Sequence, residues 1–160
     1  MKCKMILAGL FGLMATSAFA QDKFGLGLIV GEPTGLSVKY WLDDKQAVDG
    51  AVAWSFWDDD GLSLHADYLW HNYEFLNVGE TDGKVPLYFG GGTRLKFRHN
   101  EGRHHDDNDL VFGLRAPVGI SYIFNGKPLD LFAEIAPILD LAPDVDLAFS
   151  IAVGVRYYLK

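Results

Sequence analysis

The sequence predicts an all-β fold: an eight-stranded antiparallel up-and-down barrel that crosses a membrane and follows a cleaved signal peptide. Three observations carry this. Strand-length segments alternate with period two, one face of every segment is free of charge and bulky, and the other face is dominated by small residues. The last segment shows the pattern best. From Phe149 to Leu159 the odd positions are Phe149, Ile151, Val153, Val155, Tyr157 and Leu159, and Arg156 lies among the even ones. A strand that is apolar on one side and charged on the other is what a membrane-spanning barrel needs.

The first twenty residues stand apart. Lys2 and Lys4 precede an apolar run, Met5–Met14, and a small-residue stretch ends in Ala18-Phe19-Ala20. This reads as a secretory signal over 1–20, cleaved before Gln21, with a barrel over 21–160. The apolar run is too short for a membrane helix. Cys3 lies ahead of that run, so this is no lipoprotein signal, and the mature chain keeps no cysteine and no thiol chemistry. Loss of Lys2 and Lys4 takes the charge from −7 to −9. A chain this acidic is a poor nucleic-acid binder.

Eight strands follow, over Lys23–Val30, Gly35–Leu42, Ala47–Phe56, Leu62–Tyr73, Leu87–Arg98, Asp109–Phe124, Leu129–Leu141 and Asp146–Leu159. Between them lie Gly31-Glu32-Pro33-Thr34, Asp43-Asp44-Lys45, Asp58-Asp59-Asp60-Gly61, Asn125-Gly126-Lys127-Pro128 and Ala142-Pro143-Asp144, the turn chemistry expected where strands reverse. Two connections are longer, Glu74–Pro86 and His99–Asn108. Pro117 and Pro137 fall inside strands, each removing a ladder donor, which predicts bulges there.

Volume decides which face points inward. Eight strands enclose a space that side chains just fill. The uncharged face carries Trp54, Trp70 and many Phe, Tyr and Leu residues, and would overfill it. The other face is rich in Gly, Ala and Ser, and leaves room for a few long charged chains. The apolar face therefore points to lipid. Trp54, Phe56, Phe97, Phe112 and Phe149 then fall near one rim. Tyr68, Trp70, Phe89, Tyr122 and Tyr157 fall toward the other, as two interfacial girdles require.

The lumen charges nearly balance. Lys39, Arg94, Lys96, Arg115 and Arg156 oppose Asp49, Asp67, Asp130, Glu134 and Asp140. Unpaired charge is costly in a narrow interior, so a salt-bridged plug is expected, built on Lys39, Asp49, Asp67, Arg94, Arg115, Glu134 and Arg156. Glu134 is expected to pair with Arg115 and with Arg156. Ser63, His65 and Asp67 share one strand face and suggest a hydrolase triad. Residues i and i+2 on a strand lie about 6.5–7 Å apart, too far for its short hydrogen bonds, so polar lumen filling is the better reading. His71 is read as part of the same network. His99, His104, His105, Asp106 and Asp107 are a weak candidate set for Zn²⁺ or Ni²⁺, without fixed ligand spacing. Asp58–Asp60 offers Ca²⁺-type oxygens without a full loop motif. No cofactor is expected.

Gly31-Glu32-Pro33-Thr34-Gly35-Leu36-Ser37, Lys39-Tyr40-Trp41-Leu42, Ala51-Val52-Ala53-Trp54-Ser55, His65-Ala66-Asp67-Tyr68 and Glu134-Ile135-Ala136-Pro137 resemble a family of small, largely uncharacterised bacterial outer-membrane barrels. That family is similar in architecture to OmpX and to the OmpA transmembrane domain. It includes a spirochaete barrel described as binding host complement factor H. The resemblance implies the fold and location in the outer membrane of a Gram-negative-type bacterium; the role expected of the chain is non-enzymatic, in membrane integrity or surface interaction through its outer loops. The implied partners are outer-membrane lipid, the insertion machinery, and an extracellular or host protein. It supplies no factor H residues. The chain departs from such barrels in ending Tyr157-Tyr158-Leu159-Lys160 rather than on an aromatic residue. The competing readings are a lipid-modifying barrel enzyme, a narrow small-solute pore and a soluble periplasmic barrel.

Overall fold

The computed structural model describes residues 23–55, 61–76, 83–98 and 109–159. The predicted signal over 1–20, Phe56, Asp58–Asp60, and His99, His104, His105, Asp106 and Asp107 lie outside them. Ten strands are formed: β1 (Phe24–Glu32), β2 (Thr34–Trp41), β3 (Gln46–Ser55), β4 (Gly61–Asn72), β5 (Gly83–Lys84), β6 (Leu87–Arg98), β7 (Asp109–Arg115), β8 (Val118–Phe124), β9 (Leu129–Ala142) and β10 (Asp146–Leu159).

They make one antiparallel wall. β1 pairs with β2, β2 with β3, β3 with β4, β4 with β6, and β6 with both β7 and β8; these pair with β9, which pairs with β10. The sheet closes where β10 meets β1, from Phe24↔Leu159 to Glu32↔Ile151. The ring has eight staves, because β7 and β8 are two halves of one. Closure gives the edge strands their backbone partners, which a wall in hydrocarbon requires.

The split stave corrects the unbroken strand predicted over Asp109–Phe124. Pro117 cannot donate, and the stave breaks at Ala116–Pro117. Neighbours bridge the gap: Gly90 N–H donates to the Pro117 carbonyl at 2.9 Å, and Ala116 N–H to the Pro137 carbonyl at 3.0 Å. The expected bulge at Pro137 is absent, since β9 stays in register there with Phe149. Carbonyl and nitrogen of a strand residue point the same way. The missing Pro137 donor therefore faces the Ala116–Pro117 gap, where no ladder acceptor needs it. The register shift falls instead at Phe112/Gly113, opposite Ala142 and Asp140.

β5 is a second departure. It lies inside the connection predicted to be irregular over Glu74–Pro86, and pairs Gly83↔Phe124 and Lys84↔Ile123. A two-residue strand leaves no hydrophobic period to read. A Cβ at Gly83 would meet the Tyr122 ring and, at 2.8 Å, the Ile123 carbonyl, so only glycine permits this approach.

The two faces separate as their chemistry dictates. Leu28, Val30, Leu36, Trp54, Phe89, Ile135, Phe149, Ile151 and Tyr157 are each more than half exposed on the outer surface. So continuous an apolar band is foreign to a water-facing monomer. Trp54, Phe97, Phe112 and Phe149 sit on the outer face toward one end. Trp70 stacks with Phe89 at 6.2 Å and lies 4.5 Å from Tyr68 toward the end that carries Phe24 and Leu159. Tyr122, beside Phe124 at 4.7 Å, and Tyr157 join that end. Tyr68 and Tyr122 are only half-exposed, and the Tyr68 hydroxyl donates to Gln46.

Candidate functional site: the charged lumen

Inside the barrel Lys39, Asp49, Asp67, Lys96, Arg115, Asp130, Glu134, Asp140 and Arg156 are all buried. They form three layers along the axis. Nearest the termini, the Lys39 ammonium lies 2.9 Å from His71 Nε2, 3.9 Å from Asp130 Oδ2 and 4.3 Å above the Trp41 ring. The Tyr158 hydroxyl donates to Asp130 Oδ2 at 2.7 Å. His71 Nδ1 lies 3.2 Å from the Lys45 carbonyl, so the imidazole donates there while its Nε2 accepts from Lys39.

The middle layer holds two arginines. Arg156 donates to Asp49 Oδ2 at 2.8 Å and to Ser37 Oγ at 3.0 Å, with its guanidinium 3.8 Å over the Phe132 ring. Arg115 bridges two carboxylates: its Nε lies 3.0 Å from Asp67 Oδ2, and its Nη2 donates to Glu134. The other Glu134 oxygen accepts from the Tyr88 hydroxyl at 2.9 Å. In the third layer Arg94 donates to Asp140 at 2.5 Å. A cavity of about 30 Å³, lined by Ser63, Arg94, Lys96, Arg115 and Ser150, lies there. It has room for about one water molecule.

Four of the contacts that span a strand do so over a glycine. Asp67 faces Gly92, which faces Arg115. Arg94 faces Gly113, which faces Asp140. Tyr88 reaches Glu134 over Gly119, and Arg156 reaches Ser37 over Gly27. Strands two apart stand roughly 9.5 Å from each other, within reach of two side chains laid flat on the wall. A side chain on the strand between them would block the path. A Cβ at Gly92, Gly113 or Gly119 would collide with Asp67, Asp140 or Tyr88 respectively, and one at Gly27 would stand 2.8 Å from Arg156 Cγ. The small residues of the inner face are thus the gaps through which the charges pair.

Arg115 meets Glu134, but Arg156 does not; its partner is Asp49. Gly27 opens the wall toward β2 and β3, whereas on the β9 side the Phe132 ring lies against Gly154 and under the guanidinium. Ser63, His65 and Asp67 make no triad. His65 Nε2 and Asp67 Oδ2 are 4.0 Å apart, the Asp67 carboxylate is taken up by Arg115, and Ser63 Oγ has no hydrogen-bond partner among the described residues. No group of three metal-ligating side chains forms among the described residues. Trp41, Tyr88 and Phe132 are members that sequence reasoning passed over. Their signal was parity: Tyr88 alternates with Leu87 and Phe89, and Phe132 with Leu131 and Ala133, which places both inside.

A sequence model of the family described as a protein of unknown function, DUF3996, matches residues 15–157. Comparison with curated proteins gives no match. Among solved structures, the chain is similar to the N-terminal β-barrel domain of Pseudomonas aeruginosa OprF. The TM-score is 0.67 at 14% identity, over 87% of this chain and 98% of that one. It is also similar to Neisserial surface protein A, NspA, with a TM-score of 0.52 at 17% identity, over 86% of this chain and 94% of that one. These likenesses show the fold, an outer-membrane-type eight-stranded barrel.

Two adjacent glycines separate the crossing rule from general glycine intolerance. Gly92→Ala should cost about 1–3 kcal/mol through overpacking. Gly91→Ala, whose Cβ would point into open space, should stay within about 0.5 kcal/mol of the native chain. Urea unfolding in lipid vesicles measures both, and equal midpoints would contradict the rule. Arg115→Ala should cost about 3–5 kcal/mol by leaving Asp67 and Glu134 unpaired. Adding Asp67→Asn and Glu134→Gln should restore most of that stability; a triple variant no more stable than the single one would locate the cost elsewhere.

Proposed function

We propose, from the premise that this chain belongs to the DUF3996 family, that it is an integral outer-membrane barrel with a closed lumen. Its role is non-enzymatic: it supports the membrane and presents short connections for surface interaction. The observation that carries this reading is the Arg115 bridge between Asp67 and Glu134, at mid-lumen beside Arg156 and Tyr88. Two arginines and a tyrosine thus stand together at mid-depth in an interior that eight strands keep narrow. Ions would have to break charge-assisted contacts to pass.

The outward apolar band favours lipid as the medium, and the likeness to outer-membrane barrels favours the outer membrane. In that setting the insertion machinery is a partner during biogenesis. An extracellular or host protein is the partner class for the acidic connections, which include Asp58-Asp59-Asp60 and Asp106-Asp107. The lack of a Ser–His–Asp relay at Ser63, His65 and Asp67 weighs against a lipid-hydrolysing reading.

Planar-bilayer recording tests the closed lumen. The native protein should show no steady single-channel conductance at neutral pH, whereas Arg115→Ala should show brief openings. Large, steady openings of the native protein would replace this reading with the pore.

A further inference from the structure

The end of the barrel that carries the termini opens into a cavity of about 810 Å³. Four lysines line it, Lys23, Lys45, Lys84 and Lys127, together with Asp43 and Asp44. Trp41 and Tyr158 line it too, and both reach into the lumen network below: Trp41 lies against Lys39, and Tyr158 donates to Asp130. A group entering this mouth therefore meets cations at the sides and aromatic rings toward the lumen.

The four lysines come from four different parts of the chain, and the backbone at each is held. The Lys23 carbonyl accepts from Trp41 N–H at 2.9 Å, and the Lys45 carbonyl from His71 N–H at 2.7 Å. Lys84 is paired to Ile123 in the short strand β5, and the Lys127 carbonyl accepts from Leu129 N–H at 2.8 Å. β5 gives the connection that carries Lys84 an anchor at this mouth. Of the two acids, Asp43 is committed to its own turn, with Oδ1 accepting from Lys45 N–H at 2.8 Å and Gln46 N–H at 2.7 Å. Burial, then the nearby Asp44, pushes the Tyr73 phenol at the same mouth up to about 12, so it adds no negative charge at neutral pH. The excess of positive charge here is set in a chain whose net charge is −7.

We propose that this mouth binds a multiply charged phosphate group, carried by an anionic phospholipid headgroup or by a soluble polyphosphate. Three features select that chemistry. The cations among the described lining residues are all lysines, point charges that bind phosphate oxyanions without needing a fixed planar geometry. Cations converging from several directions favour a ligand with several charges over one with a single charge. The volume lies in the range of small-molecule sites and far exceeds the one-water cavity at the other end. The aromatic side chains offer surface to the carbon portion of such a ligand.

The test compares the native barrel with a Lys45→Gln/Lys84→Gln/Lys127→Gln variant, both folded into nanodiscs. A Lys→Arg triple variant and an unchanged heat-modifiable band on SDS gels control for folding. In phosphatidylcholine nanodiscs, calorimetry with pyrophosphate reads the soluble source. In nanodiscs holding phosphatidic acid, whose phosphomonoester headgroup carries up to two negative charges, native mass spectrometry of retained lipid reads the headgroup source. The proposal expects at least one arm to show binding that weakens tenfold or more in the Gln variant, persists in the Arg variant and falls with added salt. Loss in the pyrophosphate arm assigns a soluble ligand, and loss only in the phosphatidic acid arm assigns the lipid. No binding in either arm, or binding that the Gln variant leaves unchanged, overturns the proposal.

Discussion

The charges of this lumen need open paths to reach one another, and that constraint organises the molecule. Eight staves enclose a space that side chains just fill, so a long charged chain reaches its partner only where small residues leave a path. Neighbouring staves bring Arg115 directly to Glu134, but longer reaches need an open path over the stave between. Four contacts resolve the conflict by spanning a stave where a glycine stands: Gly27, Gly92, Gly113 and Gly119. The glycines are as much part of the network as Arg115 and Arg156, because an alanine in their place removes the path. An inner face of mixed Gly, Ala, Ser and ionisable residues follows from this geometry.

The outside follows from a complementary demand. With the small residues used inside, the bulky apolar ones fall on the outer face, where Trp54, Phe89, Phe149 and Ile151 are more than half exposed. Hydrocarbon is the medium that makes such a surface favourable, and closure of β10 on β1 removes the exposed sheet edge that hydrocarbon would penalise. Wall, lumen and medium are one argument: a closed ring needs period-two strands, period two sends the charges inward, and the narrow interior pairs them.

Much of this was legible because strand parity is local. The two faces could be separated residue by residue, and the pairing of Arg115 with Glu134 follows from their positions on adjacent staves. What parity does not supply is the path between staves. Glu134 looked equally suited to Arg156, yet Gly27 opens the opposite side of that arginine and Phe132 fills the nearer one. The break at Ala116–Pro117 was visible as a proline, but its harmlessness depends on Pro137 lying beside it, a relation between distant residues. β5 is two residues long, too short to carry any periodicity. Tyr88 and Phe132 were hidden by composition: they are bulky and apolar in rings that face a polar interior, and only their even positions betray them.

The central claim is that the uncharged face meets hydrocarbon and the charged face is sealed inside. Single cysteines placed in turn at 149–159, in a Cys3→Ser background, can each carry a nitroxide in lipid vesicles. Collision rates with oxygen and with a water-soluble nickel complex then report the surroundings of each position. The account predicts high oxygen and low nickel access at 151, 153 and 155, and low access to both at 150, 152 and 156. Nickel access at the odd positions equal to that of a water-exposed label would contradict it and make this barrel a soluble one.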